Sequence, residues 1–283
     1  MNADSKSEPS FSCEFFPPKT EQGMEKLQNT SVTLKESINP EFFSVTFGAG
    51  GSTRDRTFET VRQINSIAGT DVAPHLSCIG STREQITEIL NSYREQGITR
   101  IVALRGDIPS GSVARGDFNY ANELVSFIRE NFDDTFTLEV AAYPEFHPQA
   151  ESASSDLANF KRKVDAGANQ AITQYFFNCD AYFRFVESCE KLDIGIPIVP
   201  GIMPITNFTN LARFSDACGA EIPRWLRKRL QAYGDDVDSI KAFGLDVVAE
   251  MCQRLLDQGA PGLHFYTMNQ SEATLGIWNR LSL

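Results

Sequence analysis

The residues best suited to chemistry in this chain are polar side chains set into or just after apolar runs. Glu14 lies in SCEFFPPK, flanked by Phe11, Phe15 and Phe16 and followed by Pro17 and Pro18. Alone it reads equally as a charge exposed at a strand end. Its apolar flanks favour a carboxyl whose pKa is raised by poor solvation and which keeps its proton near neutral pH, the property a general acid needs. Other polar residues punctuate later runs: Thr46 before GAGGSTRDR, His75 inside the third run, Arg105-Gly106-Asp107 after the fourth, Tyr143 and His147 in AAYPEFHP, Gln174 in ITQYFF, and the HFYTMN segment. His75 or His147 by itself is more often a hydrogen-bonded core residue than a catalyst. Three histidines without H-x-x-x-H spacing or a Cys/His cluster predict no metal site.

Asp156, Asn159 and Lys163 fall at i, i+3 and i+7, with Arg162 just to the side. Such a stripe is usually a solvated helix face. Here it opens the helix that follows the AAYPEFHP loop, where cations could hold a pyrophosphate. GAGG at residues 48–51 lacks the G-x-G-x-x-G spacing, and there is neither a P-loop nor G-x-S-x-G.

The elements that must position these residues alternate. Candidate strands are Phe11–Phe16, Phe42–Phe47, Asp71–Cys78, Arg100–Gly106, Thr137–Tyr143, Gln170–Phe177, Ile196–Ile202 and Leu263–Met268. Several are continuous apolar runs, as strands buried on both faces should be. Amphipathic helices separate them. Thr82 with Gln85 forms a capping box, and Gly97 supplies a left-handed stop. Leu157, Phe160 and Val164 share one helical face. Eight strand–helix units predict a parallel sheet with right-handed crossovers, closed as a (β/α)8 barrel. Three further helical patterns, Asn207–Cys218, Pro223–Tyr233 and Asp238–Gln258, lie between strands seven and eight. One domain over residues 1–283 is expected, with residues 1–10 a flexible tail. Polar residues at the C-terminal ends of barrel strands are then the prime candidates for function.

Composition agrees with a globular enzyme: 41% hydrophobic residues and 22% charged in 283 residues. A net charge of −11 makes nucleic acid and anionic membranes poor partners. The six cysteines form no C-x-x-C pair and read as reduced, buried thiols. No apolar run is long enough to span a membrane and no signal-peptide core opens the chain, so a cytoplasmic protein is expected.

The segments CEFFPPK, SVTFGAGGSTRDRT, APHLSCI, RGD, VAAYPEFHP, FKRKVDAGANQAITQYFF, IVPGIMPI and LHFYTMN occur in order over Phe11 to Asn269. In this the chain closely resembles the bacterial-type 5,10-methylenetetrahydrofolate reductases. The resemblance implies a TIM barrel with non-covalent FAD across its C-terminal mouth. NADH or NADPH is the implied reductant of the flavin, which then reduces methylenetetrahydrofolate to 5-methyltetrahydrofolate for methionine synthesis. Glu14 matches the acid that protonates N10 of the folate. Asp107 matches the aspartate near flavin and pterin. Gln174, Phe214, Asn210, Gln270 and Tyr266 match substrate-contacting positions. Implied flavin contacts are Thr46, Phe47, Ala49, His75, Arg105, Gly106, Asp107, Tyr120, Ala121, Tyr143, His147, Asp156, Asn159, Arg162 and Lys163. The chain departs from some relatives at Gln270 (Arg there), Asn210 (Gln) and Phe47 (Tyr). A homo-oligomer, such as a tetramer, and no appended regulatory domain are further implications.

Two rivals stand beside this reading. A flavin barrel of proline-dehydrogenase type would need a carboxylate-binding arginine pair near strand eight, which HFYTMNQ does not offer. A catalytically silent barrel subunit would have no need to keep Glu14, Asp107 and Gln174.

Overall fold

A computed structural model describes residues 8–47, 51–107 and 116–283, the side chains of 51–55 apart. Ala49 therefore lies outside the described residues. The strands are β1 (Ser10–Phe15), β2 (Phe42–Val45), β3 (Asp71–Ser77), β4 (Arg100–Leu104), β5 (Thr137–Ala142), β6 (Gln170–Thr173), β7 (Ile198–Val199), β8 (Gly201–Ile202) and β9 (Gly262–Tyr266). The helices are α1 (Glu21–Ile38), α2 (Gly51–Ala68), α3 (Arg83–Glu95), α4 (Ala121–Phe132), α5 (Ala153–Asp165), α6 (Cys179–Glu190), α7 (Phe208–Cys218), α8 (Arg224–Tyr233), α9 (Val237–Asp257) and α10 (Glu272–Trp278).

Every pairing is parallel, in the order β7-β6-β5-β4-β3-β2-β1-β9-β8. The architecture is the expected TIM-type barrel, with one correction. The single strand anticipated over Ile196–Ile202 is two short ones, separated by Pro200. Proline has no N–H to give a ladder. Its carbonyl instead accepts from His264 N–H at 3.0 Å, while the carbonyl of Pro197 accepts from Ala171 N–H at 2.9 Å. The segment thus pairs with β6 before Pro200 and with β9 after it, and so closes the barrel. A second correction concerns Ser10, assigned to the tail in the sequence reading. It opens β1, and its N–H donates to the carbonyl of Pro261.

Strand alternation divides the side chains. Cys13, Phe15, Phe43 and Val45 face outward into the main core between sheet and helices. Phe42, Ala73, Val102 and Ile172 form a separate apolar plug inside the barrel. The α3 capping box is present as expected: the Thr82 hydroxyl accepts from Gln85 N–H and the Gln85 carboxamide accepts from Thr82 N–H. Gly97, at φ 72°, stops that helix. The three helices expected before the last strand are α7, α8 and α9. Among the described residues no helix is long and apolar enough to cross a membrane.

Candidate active site

Several strands end one residue or more before the sequence pattern does. β4 stops at Leu104 and β6 at Thr173, so Arg105, Gly106, Gln174 and Tyr175 leave the ladder at the barrel's C-terminal mouth. A cavity of about 340 Å³ opens there, a size within the range of small-molecule sites, roughly 300–1,000 Å³. Leu104, Ala141 and Ile172 give it an apolar floor, and Glu14, His75, Gln174, Tyr143 and Tyr266 bring polar atoms to it. Phe214 reaches it from α7.

Glu14 is fixed from both sides of the barrel seam. Its carbonyl accepts from the Thr267 hydroxyl at 2.7 Å, and the Asn269 carboxamide exchanges two hydrogen bonds with the backbone of Phe16. Asn269 adopts a left-handed conformation (φ 57°), which asparagine tolerates better than most residues. The Glu14 carboxylate Oε2 lies 3.2 Å from His75 Nε2 and 3.7 Å from His264 Nε2. His264 Nδ1 in turn sits 2.7 Å from the Ser12 hydroxyl.

This overturns the expected electrostatics of Glu14. Burial does push its carboxyl up, as the apolar flanks suggested. The pull of the two imidazoles, His75 first, outweighs burial, and the carboxyl is held down at about 2. The flanking phenylalanines that suggested an apolar pocket do not set its surroundings: Phe15 points into the outer core, and Phe16 is exposed. The inward neighbours come from β3 and β9.

The other expected residues divide into three groups. Gln174, Phe214, Tyr266, His75 and Tyr143 line the cavity with Glu14. The Tyr266 hydroxyl donates to the carbonyl of Thr173 at 2.8 Å, and the Gln174 carboxamide oxygen accepts from Tyr175 N–H at 3.0 Å. Burial, then the charges of Asp156 and Asp107, push the Tyr143 phenol up to about 12. A second group rims the mouth. Gly106 turns the chain at φ 85°, with no room for a Cβ against Ser77. Arg105 donates to Gln149 at 2.5 Å, and Asp107 is exposed. His147 packs edge-on to Tyr143 at 4.6 Å, its backbone N–H held by Asp156 at 2.9 Å; burial lowers its imidazole's pKa. The α5 stripe splits. Lys163 reaches inward to the carbonyl of Ala141, and burial pulls its ammonium down to about 8. Asn159 and Arg162 pair with one another on the exposed face. Thr46 and Phe47 follow β2, with Thr46 N–H donating to the carbonyl of Phe15. Tyr120 and Ala121 start α4, and the Tyr120 ring is exposed.

A third group stands apart from the cavity wall. Asn210 occupies the first turn of α7, where its N–H donates to the capping Asn207 side chain. Gln270 lines a different, smaller cavity of about 140 Å³, with Pro204 and Lys241.

Sequence reasoning passed over Ser12, His264, Tyr175 and Cys218. Alternation could have found the first two: Ser12 shares a strand face with Glu14, and His264 shares one with Tyr266. Tyr175 and Cys218 leave no such signal, because they meet only when α7 folds over the end of β6.

A family model described as methylenetetrahydrofolate reductase matches residues 1–282. The chain is 42% identical to the 5,10-methylenetetrahydrofolate reductase of Escherichia coli over 272 residues, covering 96% of this chain and 90% of that one. It is 40% identical to that of Buchnera aphidicola over 282 residues, covering 100% and 94%. Identity is 40% to Methylenetetrahydrofolate reductase (NADH) 1 of Arabidopsis thaliana, over 96% of this chain and 48% of the plant protein. Among solved structures, an uncharacterized Clostridium thermocellum protein that binds two copies of 5-methyl-5,6,7,8-tetrahydrofolic acid superposes with a TM-score of 0.65 at 15% identity. It covers 97% of this chain and 94% of its own, a likeness of fold.

Proposed function

Since the chain belongs to the methylenetetrahydrofolate reductase family, we propose that it uses FAD and a reduced nicotinamide to convert 5,10-methylenetetrahydrofolate to 5-methyltetrahydrofolate, with Glu14 as the proton donor. The observation that carries the acid role is the seating of Glu14 inside the barrel between His75 and His264, opposite Gln174, Phe214 and Tyr266.

The mouth suits a flavin dinucleotide on two counts. Its floor of Leu104, Ala141 and Ile172 is apolar, as an aromatic ring system requires. Beside it Lys163 presents a cation with no ion-pair partner among the described residues, suited to a pyrophosphate. Lys163, Asp156, His147 and Arg105 would hold the dinucleotide, with Asn159 and Arg162 on the outer face of α5. When bound, FAD supplies hydride transfer between the nicotinamide and the folate.

The residues of the chain supply the proton and the orientation. Opening the folate's five-membered ring requires a proton on the departing N10. Glu14 at rest is a carboxylate, so it must gain a proton before it can give one. Desolvation as the folate enters raises the Glu14 carboxyl, which takes that proton and passes it to N10. Ser12 orients His264 through Nδ1 and leaves Nε2 toward Glu14. Asp107 places negative charge at the rim, where it favours a cationic folate. The Gln174 carboxamide oxygen is steadied by Tyr175 N–H, which leaves its NH2 group to offer to the substrate. A homo-oligomer working in the cytoplasm and feeding methionine synthesis completes the proposal. The Arabidopsis relative's name favours NADH as the reductant.

The test is direct. Purified protein should be yellow, bleach with NADH and regain colour with methylenetetrahydrofolate. Glu14→Gln should bleach normally but slow recolouring by about 10²- to 10⁴-fold, the usual worth of general acid catalysis. Loss of both half-reactions would remove Glu14 from the acid role. Colour that methylenetetrahydrofolate never restores would sink the substrate.

A further inference from the structure

Helix α7 brings Phe214 to the cavity, yet only Leu211 and Ser215 of that helix are buried. Ser215 is 1% exposed. A buried hydroxyl is costly unless it is hydrogen-bonded. Its partner is the phenol oxygen of Tyr175, 3.1 Å away. The Sγ of Cys218, three residues along α7, reaches the same phenol oxygen at 3.5 Å. Two side chains at i, i+3 on one helix thus converge on a single atom beyond the end of β6. Tyr175 is itself 4% exposed. Its ring sits edge-on to Phe177 and Tyr266, with centroids 5.8 and 6.2 Å away.

We propose that the Tyr175 phenol, with Ser215 and Cys218, is a latch that sets the rotation of α7 and so places Phe214 over the bound folate. Each residue advances a helix by about 100°, so a slip of α7 by one position would carry both partners off the phenol and turn Phe214 away from the cavity. An aliphatic residue at 215 would bury as well without fixing the angle; a hydrogen bond has direction and apolar contact does not. Tyr175 is then a positioning residue acting through Phe214. Its effect on turnover rests on the reductase reading; its effect on α7 does not.

Tyr175→Phe keeps the ring and its edge contacts and deletes only the hydroxyl. Cys218 is the one cysteine of the six that is not buried, so maleimide labelling of native protein reports on this spot. Cys218 in the variant should label about three- to tenfold faster, the factor expected for losing one neutral hydrogen bond. Amide exchange should quicken in α7 and stay unchanged in α6 and α9. The KM for methylenetetrahydrofolate should rise by a similar factor with kcat within about twofold. Ser215→Ala, which leaves Cys218 on the phenol, should give a smaller effect of the same kind, and the double variant should be no worse than Tyr175→Phe, because the contact that Ser215→Ala removes is already gone. Wild-type labelling and α7 exchange in Tyr175→Phe, or strictly additive effects in the double variant, would overturn the latch. A loosened α7 with unchanged KM would overturn its service to the folate. If the wild-type protein itself fails to turn over methylenetetrahydrofolate, the reductase reading falls, and labelling still decides the latch.

Discussion

His75 Nε2 stands 3.2 Å from Oε2 of Glu14, the carboxyl proposed to protonate the folate. Burial and the two imidazoles pull the Glu14 pKa in opposite directions, and the imidazoles win. His75→Gln removes the nearer one and leaves burial less opposed. The Glu14 carboxyl should therefore rise from about 2, and because the acid acts in its protonated form, the high-pH limb of folate reduction should move to higher pH. Single-turnover recolouring of reduced enzyme across pH measures this; an unmoved limb would detach His75 from the acid. The same sign governs stability. A carboxyl depressed in the fold stabilises it above the ordinary value of 4.5, and that contribution is lost as pH falls toward 2. Glu14→Gln should flatten acid unfolding over that window.

The barrel and the membership of its mouth were legible in the sequence because both follow from local pattern. Apolar runs punctuated by Gly97 and Gly167 mark strand–helix units, and polar residues ending those runs mark the mouth. What was illegible depends on which neighbours the alternation brings inward. Glu14 looked apolar from Phe15 and Phe16, but strand neighbours in sequence face opposite ways. Its real surroundings come from His75, about sixty residues along the chain, and from His264 on the closing strand. The seam at Pro200 was hidden for a similar reason: Ile196–Ile202 reads as one apolar run, and only pairing on both sides shows it to be two strands. The α5 stripe was found by spacing alone, yet spacing could not tell that Lys163 turns inward while Arg162 stays out.

On the proposed flavin reading, Lys163 should link FAD affinity to pH. Burial lowers its ammonium to about 8, so the free protein begins to lose this cation just above neutrality. An anionic pyrophosphate beside it would raise the value again, so binding takes up a proton where the two differ. FAD should bind more weakly as pH climbs through about 8, read by fluorescence quenching of the free dinucleotide. Lys163→Gln should weaken FAD about ten- to a hundredfold at neutral pH, the loss of one charge-assisted hydrogen bond, and abolish the pH trend. A trend that survives the substitution belongs to another group.

Far from the mouth, Glu139 is fully buried at the lower end of the barrel, one oxygen on Arg100 Nη1 at 2.6 Å and the other without a partner. Burial raises its carboxyl to about 7 against the pull of Arg100. A carboxyl raised in the fold contributes stability that is whole below 4.5 and gone above about 7. Wild-type protein should lose melting temperature between pH 5 and 8 on this account, and Glu139→Gln should not. At pH 8 the variant should be more stable by up to about 3 kcal/mol, since each pKa unit is worth roughly 1.4 kcal/mol. Calorimetry at the two pH values decides it; parallel curves for both proteins would show that Glu139 does not titrate in this range.

Gly201 joins the closure of the barrel to the geometry of the site. A Cβ built there would lie 2.2 Å from the carbonyl oxygen of Thr173 and 2.7 Å from Tyr266 Cε2. The first neighbour is backbone of β6 and cannot swing aside; the second is the ring whose hydroxyl donates to that same carbonyl. Gly201→Ala must therefore either spread the seam between β6 and β8 or drive Tyr266 off Thr173. Overpacking of this kind costs about 1–3 kcal/mol. It should appear as a lower melting temperature together with a raised KM for the folate, because Tyr266 forms part of the cavity wall. Tyr266→Leu in the same chain relieves only the second contact, so stability should recover in part at most and the KM should stay high. Recovery of both would mean that Tyr266 only fills volume, and loss of neither in Gly201→Ala would mean that the seam gives way more easily than its backbone contacts allow.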